Sequence, residues 1–230
     1  MNINGLYWIM FIAVAVLSYI VQAVFKNRFD KASHYPMAGG LTGSDIASKM
    51  LSDNGIYDVR VTSTKGQLTD NYNPSDKTVN LSESVYDENT IAAAAVAAHE
   101  CGHALQHATG YGPLRLRSAL VPVVTFASKA VIWILLAGMF LINVFPGLML
   151  AGIILFAATT LFSFITLPVE INASRRAIAW LSGSGLIDYS NREVAENALR
   201  AAAYTYVVAA LSSLATLIYY ILIFTGGRRD

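Results

Sequence analysis

Long apolar runs alternate with polar segments along the chain. Four of these runs are close to or above the roughly 20 residues that a helix needs to cross a bilayer, at about 1.5 Å rise per residue. They cover residues 6–25, 120–141, 148–167 and 201–224. The pattern predicts a mainly α membrane protein with four transmembrane helices. The polar segments between them carry the candidate chemistry.

The first apolar run could also be interpreted as a cleaved signal peptide. Residues 1–5 contain no lysine or arginine, the run is longer than a signal core, and no clear small-x-small cleavage site follows it. We therefore expect a retained N-terminal anchor.

The first polar segment, residues 27–117, contains two predicted helices. Thr42 is a favourable N-cap for a short amphipathic helix, and Asn54-Gly55 ends it. An alanine-rich stretch at residues 88–109 is strongly helix-forming, with acids in its first turn and Gly110 after its end.

Strands are predicted between these two helices. Alternating side chains indicate a strand at residues 57–63. Residues 67–71 and 77–82 flank a turn sequence at residues 73–76, in which proline fits the required φ. The segment is therefore predicted to be a small α+β unit with a β-hairpin.

The second polar segment, residues 169–200, is predicted to be helical on both sides of a break. The helix covers residues 168–176, stops at the glycines of residues 183–185, and starts again at a capping box in residues 190–193. Residues 145–147 (FPG) predict a tight turn between the second and third apolar runs, which therefore form a helical hairpin.

Composition agrees with a membrane protein and excludes some partners. Of the 230 residues, 55% are hydrophobic and only 13% are charged, against about 25% charged in a soluble domain. The formal net charge of +1 gives no reason to expect nucleic acid or another polyanion. One cysteine, Cys101, allows no intramolecular disulfide.

Basic residues near the ends of the runs predict the orientation. Most lie on the side that holds both polar segments, namely Lys26, Arg28, Lys31, Arg115, Arg117, Arg175, Arg176, Arg192 and Arg200. The other side holds the N-terminus and the hairpin turn, which contain no lysine or arginine. It also holds Arg228 and Arg229, which argue for the opposite orientation. The majority predicts a multi-pass protein of the plasma membrane with both polar segments in the cytoplasm.

The motif that carries chemistry is H-E-x-x-H, at His99, Glu100 and His103 on the alanine-rich helix. Residues four apart share a helix face, so the two imidazoles can bind one Zn²⁺. Glu100 is then held next to the metal as a general base. The alternative is that the two histidines only satisfy hydrogen bonds on a buried helix.

A catalytic zinc centre needs a third protein ligand. The metzincin extension is excluded, because Gln106 and Thr109 stand where glycine and histidine are required. Glu170 is the best candidate, because two spans return the chain to the side it left and a carboxylate at a span end is costly without a partner. Alternatively, Glu196 is the ligand, and Glu170 solvates a helix end or pairs with Arg175.

Other polar side chains are weaker candidates. Cys101 lies about 200° around the helix from His99 and is expected to pack in the interior. His107 is a candidate for a ligand-adjacent, substrate-facing or surface position. The remaining candidates are partners that orient a histidine (Asn172 and Ser174) and groups that stabilise an oxyanion (Arg175, Arg176, Tyr189 and Tyr204).

Four strings together resemble a known family. They are residues 68–74 (LTDNYNP), 79–86 (VNLSESVY), 97–108 (AAHECGHALQHA) and 167–177 (LPVEINASRRA). The sequence resembles the YugP-like bacterial membrane-bound neutral zinc metallopeptidases, which are similar in motif layout to heat-shock and CAAX-type membrane proteases.

The resemblance implies a gluzincin-type centre with His99, His103 and Glu170 as ligands and Glu100 as base. Related gluzincins often carry an aspartate four residues after the ligand glutamate; Ser174 stands there, so a carboxylate partner cannot be carried over. The resemblance also implies that a strand near residues 78–82 borders the cleft and pairs with an extended substrate.

These features divide the chain into five regions: an N-terminal anchor (1–26), an α+β catalytic segment (27–117), a transmembrane hairpin (118–168), a third-ligand helical segment (169–200) and a C-terminal transmembrane helix with its tail (201–230).

We predict an integral membrane zinc endopeptidase that acts on membrane or misfolded proteins, with one Zn²⁺ per chain. Its expected partners are a peptide or membrane-protein substrate and membrane lipid. The alternative is a non-enzymatic zinc-binding scaffold or sensor, closed by a fourth ligand such as His107. A transporter is disfavoured, because four spans without paired intramembrane carboxylates or broken helices offer no pathway.

Overall fold

The computed structural model describes residues 3–226, without the side chains of residues 3, 4, 6 and 7. Its helices are α1 (Ile3–Ser33), α2 (Gly43–Asp53), α3 (Glu83–Tyr86), α4 (Ile91–Ala108), α5 (Gly112–Phe140), α6 (Pro146–Gly183) and α7 (Tyr189–Gly226), with a 3₁₀ turn at Ala38–Gly40. The strands are β1 (Arg60–Thr64), β2 (Asn71–Asn73) and β3 (Thr78–Ser82). The predicted fold class, mainly α with a small sheet, is confirmed.

Four helices of the described part are long and apolar enough to cross a membrane. The qualifying stretches are Trp8–Ser33, Gly112–Phe140, Pro146–Gly183 and Tyr189–Gly226. Each overlaps one predicted apolar run, so the prediction of four spans is confirmed. The basic pair Arg228 and Arg229, which disagreed with the predicted orientation, lies outside the described residues.

The turn between α5 and α6 differs from the prediction. It occupies residues 141–145, where the Phe145 N–H donates to the Leu141 carbonyl at 2.7 Å. Pro146 is the first residue of α6 rather than part of the turn, because the missing N–H of proline costs no hydrogen bond there. Helix α6 then continues through Pro168 to Gly183, so Glu170 lies on the same helix as the third apolar run.

The start of α7 also differs. The predicted capping box at residues 190–193 is wrong, because the helix has already begun at Tyr189. The Asp188 carboxylate instead accepts a hydrogen bond from the Asn191 N–H at 2.7 Å. The predicted break before it is present, with Gly185 at φ 70.

The chain divides into two compact units. The apolar unit comprises Met1–Ile20, Leu116–Leu167 and Thr205–Asp230, and the polar unit comprises Val21–Arg115 and Pro168–Tyr204. In the apolar unit, α5 and α6 pack around Leu135 and Met149, which are almost fully buried. A Cβ at Gly138 would lie 2.6 Å from the Cα of Met149, so this helix pair depends on glycine at the contact.

The sheet of the polar unit has the order β1-β3-β2, with β1 parallel and β2 antiparallel to β3. The predicted hairpin is present, but β2 begins at Asn71 rather than at residue 67, since Gly66 and Leu68 have positive φ and turn the chain. Strand β1 begins at Arg60 rather than at residue 57, because its partner β3 begins at Thr78, the residue paired with Arg60.

This order corrects the expected role of residues 78–82. Because β3 is the central strand, it is paired with β1 on one side and with β2 on the other. The N–H of Ser82, the last residue of β3, donates to the Asp70 carboxylate at 2.7 Å. A substrate strand therefore cannot pair with β3, and the sheet edges belong to β1 and β2.

Helix α2 has the ends that its sequence predicts. The Thr42 hydroxyl accepts from the Asp45 N–H at 3.3 Å, and the Asp45 carboxylate accepts from the Thr42 N–H at 2.9 Å, which is a capping box. Gly55, at φ 70, turns the chain after the last helical residues.

Helix α4 forms the centre of the polar unit. The Thr90 hydroxyl accepts from the Ala93 N–H at 3.2 Å, so the helix begins at Ile91. The acids predicted in its first turn are not there, since Glu88 precedes the first helical residue, and that detail of the prediction is wrong. Nearly all of its alanines are buried, and their small side chains let neighbouring elements approach closely.

Candidate metal centre

Two helices of the polar unit bring three metal-ligating side chains to one point. His99 and His103 project from α4, and Glu170 projects from α6. The Glu170 Oε2 atom lies 3.2 Å from His99 Nε2 and 3.6 Å from His103 Nε2. One ligand atom from each of the three side chains lies within 4.8 Å of the others. Glu170 and the two histidines are therefore neighbours in space, although about 70 residues separate them in sequence.

The close contact between α4 and α6 depends on a glycine. A Cβ built on Gly102 would lie 2.6 Å from the carbonyl oxygen of Ala173, a distance that real Cβ atoms essentially never show. Gly102 stands between the two histidines in sequence, and Ala173 follows Glu170 by about one helical turn. Any larger residue at position 102 would push Glu170 away from the imidazoles.

Hydrogen bonds support the far side of each imidazole ring. His99 Nδ1 lies 3.0 Å from the Ser174 hydroxyl, and His103 Nδ1 lies 3.0 Å from Gln106 Oε1. Both Nε2 atoms are thereby left facing Glu170. Of the two candidate orienting residues, Ser174 contacts a histidine directly. Asn172 does so only through Gln106, whose amide Nε2 donates to Asn172 Oδ1 at 3.0 Å.

Sequence reasoning missed Gln106. The residue entered only as the position where a metzincin glycine is absent, yet its side chain is fully buried against His103. The available signal was its spacing: three residues after a ligand histidine, on the same helix face. A buried amide at that position needs polar partners, and a ligand histidine is one of those within reach.

The donor set fits zinc. Two imidazole nitrogens and a carboxylate oxygen are ligands that zinc takes in catalytic sites, and three protein ligands leave a position for water or substrate. Two donors of a tetrahedral zinc ion, each about 2.0–2.1 Å from the metal, lie about 3.3 Å apart. The observed Nε2-to-Oε2 distances of 3.2 and 3.6 Å are close to that value.

The three side chains are also linked electrostatically. Burial opposes the charged form of His103, but the Glu170 carboxylate 3.6 Å from its ring, together with the charge of Glu100, outweighs burial. They raise the pKa of His103 above its ordinary value. In the metal-free chain a proton on His103 is therefore favoured, and a metal cation at the same place would replace that positive charge.

Glu100 lies beside this set rather than within it. It is 100° around the ideal helix from His99, on the flank that also carries His107. Its side chain is only 9% exposed, and its charge acts on His103. Among the described residues, no donor is hydrogen-bonded to its carboxylate. A buried carboxylate with free lone pairs next to a metal site is suited to accept a proton.

The structure separates the other histidine and cysteine candidates from the set. His107 Nδ1 is 2.7 Å from the Tyr72 hydroxyl of β2, and the ring is exposed. Cys101 is fully buried on the opposite face of α4, where its thiol lies 3.5 Å from the Ala47 carbonyl oxygen. Burial raises the pKa of the Cys101 thiol, so the side chain packs as expected rather than ligating a metal.

The alternative acidic and oxyanion candidates lie elsewhere. Glu196 accepts a hydrogen bond from Arg200 at 2.6 Å on an exposed face. Arg176 donates to Asn172 Oδ1 at 2.9 Å. Tyr189 and Tyr204 are 86% and 52% exposed. Arg175 is exposed as well.

Comparison with known proteins agrees with this geometry. Residues 7–225 match the model of a family described as "Putative neutral zinc metallopeptidase". A curated relative from Bacillus subtilis (strain 168), named "Putative membrane protease YugP", is 44% identical over 219 residues, which cover 95% of this chain and 96% of the relative. No solved structure matches the chain.

Proposed function

This chain belongs to the neutral zinc metallopeptidase family, and on that premise we propose that it is an integral membrane endopeptidase with one zinc ion per chain. His99, His103 and Glu170 hold the metal. The single observation that carries the proposal is the convergence of these three side chains, drawn from two helices, within 4.8 Å. Its substrates are peptide bonds of membrane or misfolded proteins.

The chain's own residues perform the proton transfers. Zinc, when bound, supplies a Lewis acid that activates water and polarises the scissile carbonyl. The Glu100 carboxylate accepts a proton from the water as its oxygen bonds to the carbonyl carbon. Glu100 then delivers that proton to the amide nitrogen as the C–N bond breaks, so the amine leaves neutral and Glu100 is restored.

An extended substrate is proposed to pair with the outer edge of β2. Of the two edge strands, β2 packs against α4, since Tyr72 of β2 contacts His107 of α4. His107 and Glu100 share one flank of that helix. A peptide added to this edge would gain main-chain hydrogen bonds and would run past the Glu100 flank.

The proposed orientation places the polar segments in the cytoplasm. It rests on the nine basic residues that lie near the polar ends of the apolar runs, such as Lys26, Arg115 and Arg200. The expected partners are then cytoplasmic peptides or membrane-protein segments, and lipid around the spans. A net charge of +1 offers no attraction for nucleic acid.

Glu100→Gln in the full chain tests the proposal. The amide keeps the volume of the side chain but cannot accept the proton, so cleavage should fall by about 10²–10⁴-fold, the usual contribution of a general base. Zinc content, measured by mass spectrometry of the purified protein, should remain equal to that of the wild-type chain. Cleavage is read from the peptides released from casein and from a membrane-segment peptide.

The outcomes separate the competing functions. Full activity in Glu100→Gln would end the mechanism. A wild-type chain that binds zinc but releases no peptide from either substrate would favour the non-enzymatic scaffold. Glu193→Gln, on the surface of α7, is the matched control for the same chemical change and should leave both zinc content and cleavage unchanged.

A further inference from the structure

Gln106 is the most completely buried polar side chain near the metal centre. It is 0% exposed, and its amide makes three hydrogen bonds. Oε1 lies 3.0 Å from His103 Nδ1, while Nε2 donates to the Val169 carbonyl at 2.8 Å and to Asn172 Oδ1 at 3.0 Å. The Gln106 side chain thus connects His103 to the backbone carbonyl of Val169, the residue directly before Glu170.

The direction of the Gln106 amide follows from its partners. A backbone carbonyl oxygen can only accept, so the amide NH₂ must face Val169. Asn172 gives the same answer independently. Arg176 has only donors, and its Nε donates to Asn172 Oδ1 at 2.9 Å, so that oxygen also accepts from Gln106. Both acceptors, the Val169 carbonyl and Asn172 Oδ1, therefore require Gln106 Nε2 on their side, which leaves Gln106 Oε1 facing His103.

This direction determines which nitrogen of His103 carries hydrogen. Because an amide oxygen can only accept, His103 Nδ1 must be the donor. In the neutral ring, Nε2 is then the unprotonated nitrogen, and it is the atom that faces Glu170. His99 lacks such a reference, since the Ser174 hydroxyl can either donate or accept.

We propose that Gln106 is a positioning residue of the metal centre, which holds His103 in the one tautomer that presents Nε2 to the metal. The inference deepens the proposed function and rests on it. Ligand histidines usually donate their second N–H to a carboxylate or a backbone carbonyl. Here the acceptor is the neutral side-chain amide of Gln106, whose orientation is fixed by its hydrogen bond to the Val169 carbonyl.

Three variants of the full chain in detergent test this proposal by zinc affinity, measured in competition with a chromophoric chelator. Gln106→Met keeps the volume but removes the acceptor, and zinc affinity should fall by about 10–100-fold. Gln106→Glu, with its second oxygen protonated between the acceptors Val169 and Asn172, keeps both an acceptor for His103 and a donor, and it should bind zinc more tightly than Gln106→Met. Gln67→Met makes the same change on an exposed loop and should bind like wild type.

A second readout distinguishes positioning from general support of the fold. The visible absorption of the Co²⁺-loaded chain reports the ligand geometry, and it should change in Gln106→Met but not in Gln67→Met. An unchanged spectrum with unchanged zinc affinity would overturn the inference. Where Gln106→Met does not fold, a zinc affinity of Gln106→Glu reduced by about 10–100-fold would overturn it as well.

Failure of the underlying function has a different signature. A wild-type chain that binds neither Zn²⁺ nor Co²⁺ contradicts the metal centre itself. A wild-type chain that binds both, with Gln106→Met indistinguishable from it, contradicts only the role of Gln106.

Discussion

The two opposite faces of α4 are built in different ways. The face towards α2 carries Cys101 and small apolar side chains, which pack in one apolar cluster with Ile46 and Met50 of α2; the one polar contact that we describe on this face runs from the Cys101 thiol to the Ala47 carbonyl oxygen at 3.5 Å. The face towards α6 carries His99, Gly102 and His103, whose partners on α6 are polar. One face is held by buried apolar area, and the other is held by specific polar pairs across a glycine contact.

This difference indicates which changes alter stability and which alter the site. Apolar packing is tolerant of similar shapes, because its energy depends on area and volume. A buried polar pair depends on both partners, and losing one leaves the other without compensation. Substitutions on the α2 face should therefore lower stability without affecting metal, whereas substitutions on the α6 face should affect metal first.

Glu170→Ala, on the α6 side of this contact, is the substitution expected to lower zinc affinity most. It removes a proposed zinc ligand, so zinc affinity should fall by more than the roughly 10–100-fold that loss of an outer hydrogen-bond partner costs. Chelator competition measures the change. Glu196→Ala, which removes a carboxylate from an exposed pair with Arg200, is the matched control and should leave zinc affinity unchanged. Equal zinc binding in both variants would remove Glu170 from the metal centre.

Gly102→Ala tests the contact between α4 and α6. The added Cβ would collide with the Ala173 carbonyl oxygen, so unfolding free energy should fall by about 1–3 kcal/mol, and zinc affinity should fall with it. Gly112→Ala is the control, because nothing lies within 4 Å of a Cβ there. If Gly102→Ala matched Gly112→Ala in thermal unfolding and zinc binding, the close contact would not be needed.

The raised pKa of His103 predicts opposite effects of pH on stability and on metal binding. In the metal-free chain, the stabilisation from charged His103 is complete below the ordinary value of about 6.5 and is lost as pH rises through the raised folded value. Zinc needs the neutral ring, so zinc affinity should rise with pH over the same range, by up to about tenfold per unit.

Two titrations check this prediction. Thermal unfolding in excess chelator follows the stability of the metal-free chain, and competition with a chelator whose own pH dependence is known follows zinc affinity. Zinc affinity that stays constant from below to above the ordinary histidine range would contradict the prediction. His34, an exposed histidine in the same unit, gives the control substitution His34→Gln, which should preserve both pH profiles.

Cys101→Ala should have the smallest effect and sharpens the comparison from the other face. Removing one buried sulfur leaves a small cavity, so unfolding free energy should fall by about 1 kcal/mol. Zinc affinity should equal that of the wild-type chain, because Cys101 points away from the site. A clear loss of zinc in this variant would show that the two faces are not independent.

Local signals were sufficient for much of the fold. The apolar runs predicted four membrane-crossing helices, and Thr42 and Gly55 predicted the ends of α2, because hydropathy and capping depend on neighbours in sequence. The ends of the strands were less predictable. Leu68 adopts a positive φ that its residue type does not favour, and the start of β1 depends on its partner β3.

The candidate site shows the same division. The spacing of His99 and His103 is a helix property, so their common face follows from sequence alone. The same helix geometry places Gln106 on the face of His103, but its role also depends on the Val169 carbonyl and Asn172, which are brought to it only by folding. The identity of β3 as the central strand also required the sheet order, which hairpin signals do not determine.

The position of Glu170 late in the chain has a consequence for biosynthesis. A ribosome-bound chain that ends within α5 already contains both histidines and Glu100 but lacks Glu170. Under the proposed function, such a chain has no complete metal centre until α6 has been synthesised. The proposed peptidase would therefore be inactive towards neighbouring chains until that late stage of its own synthesis.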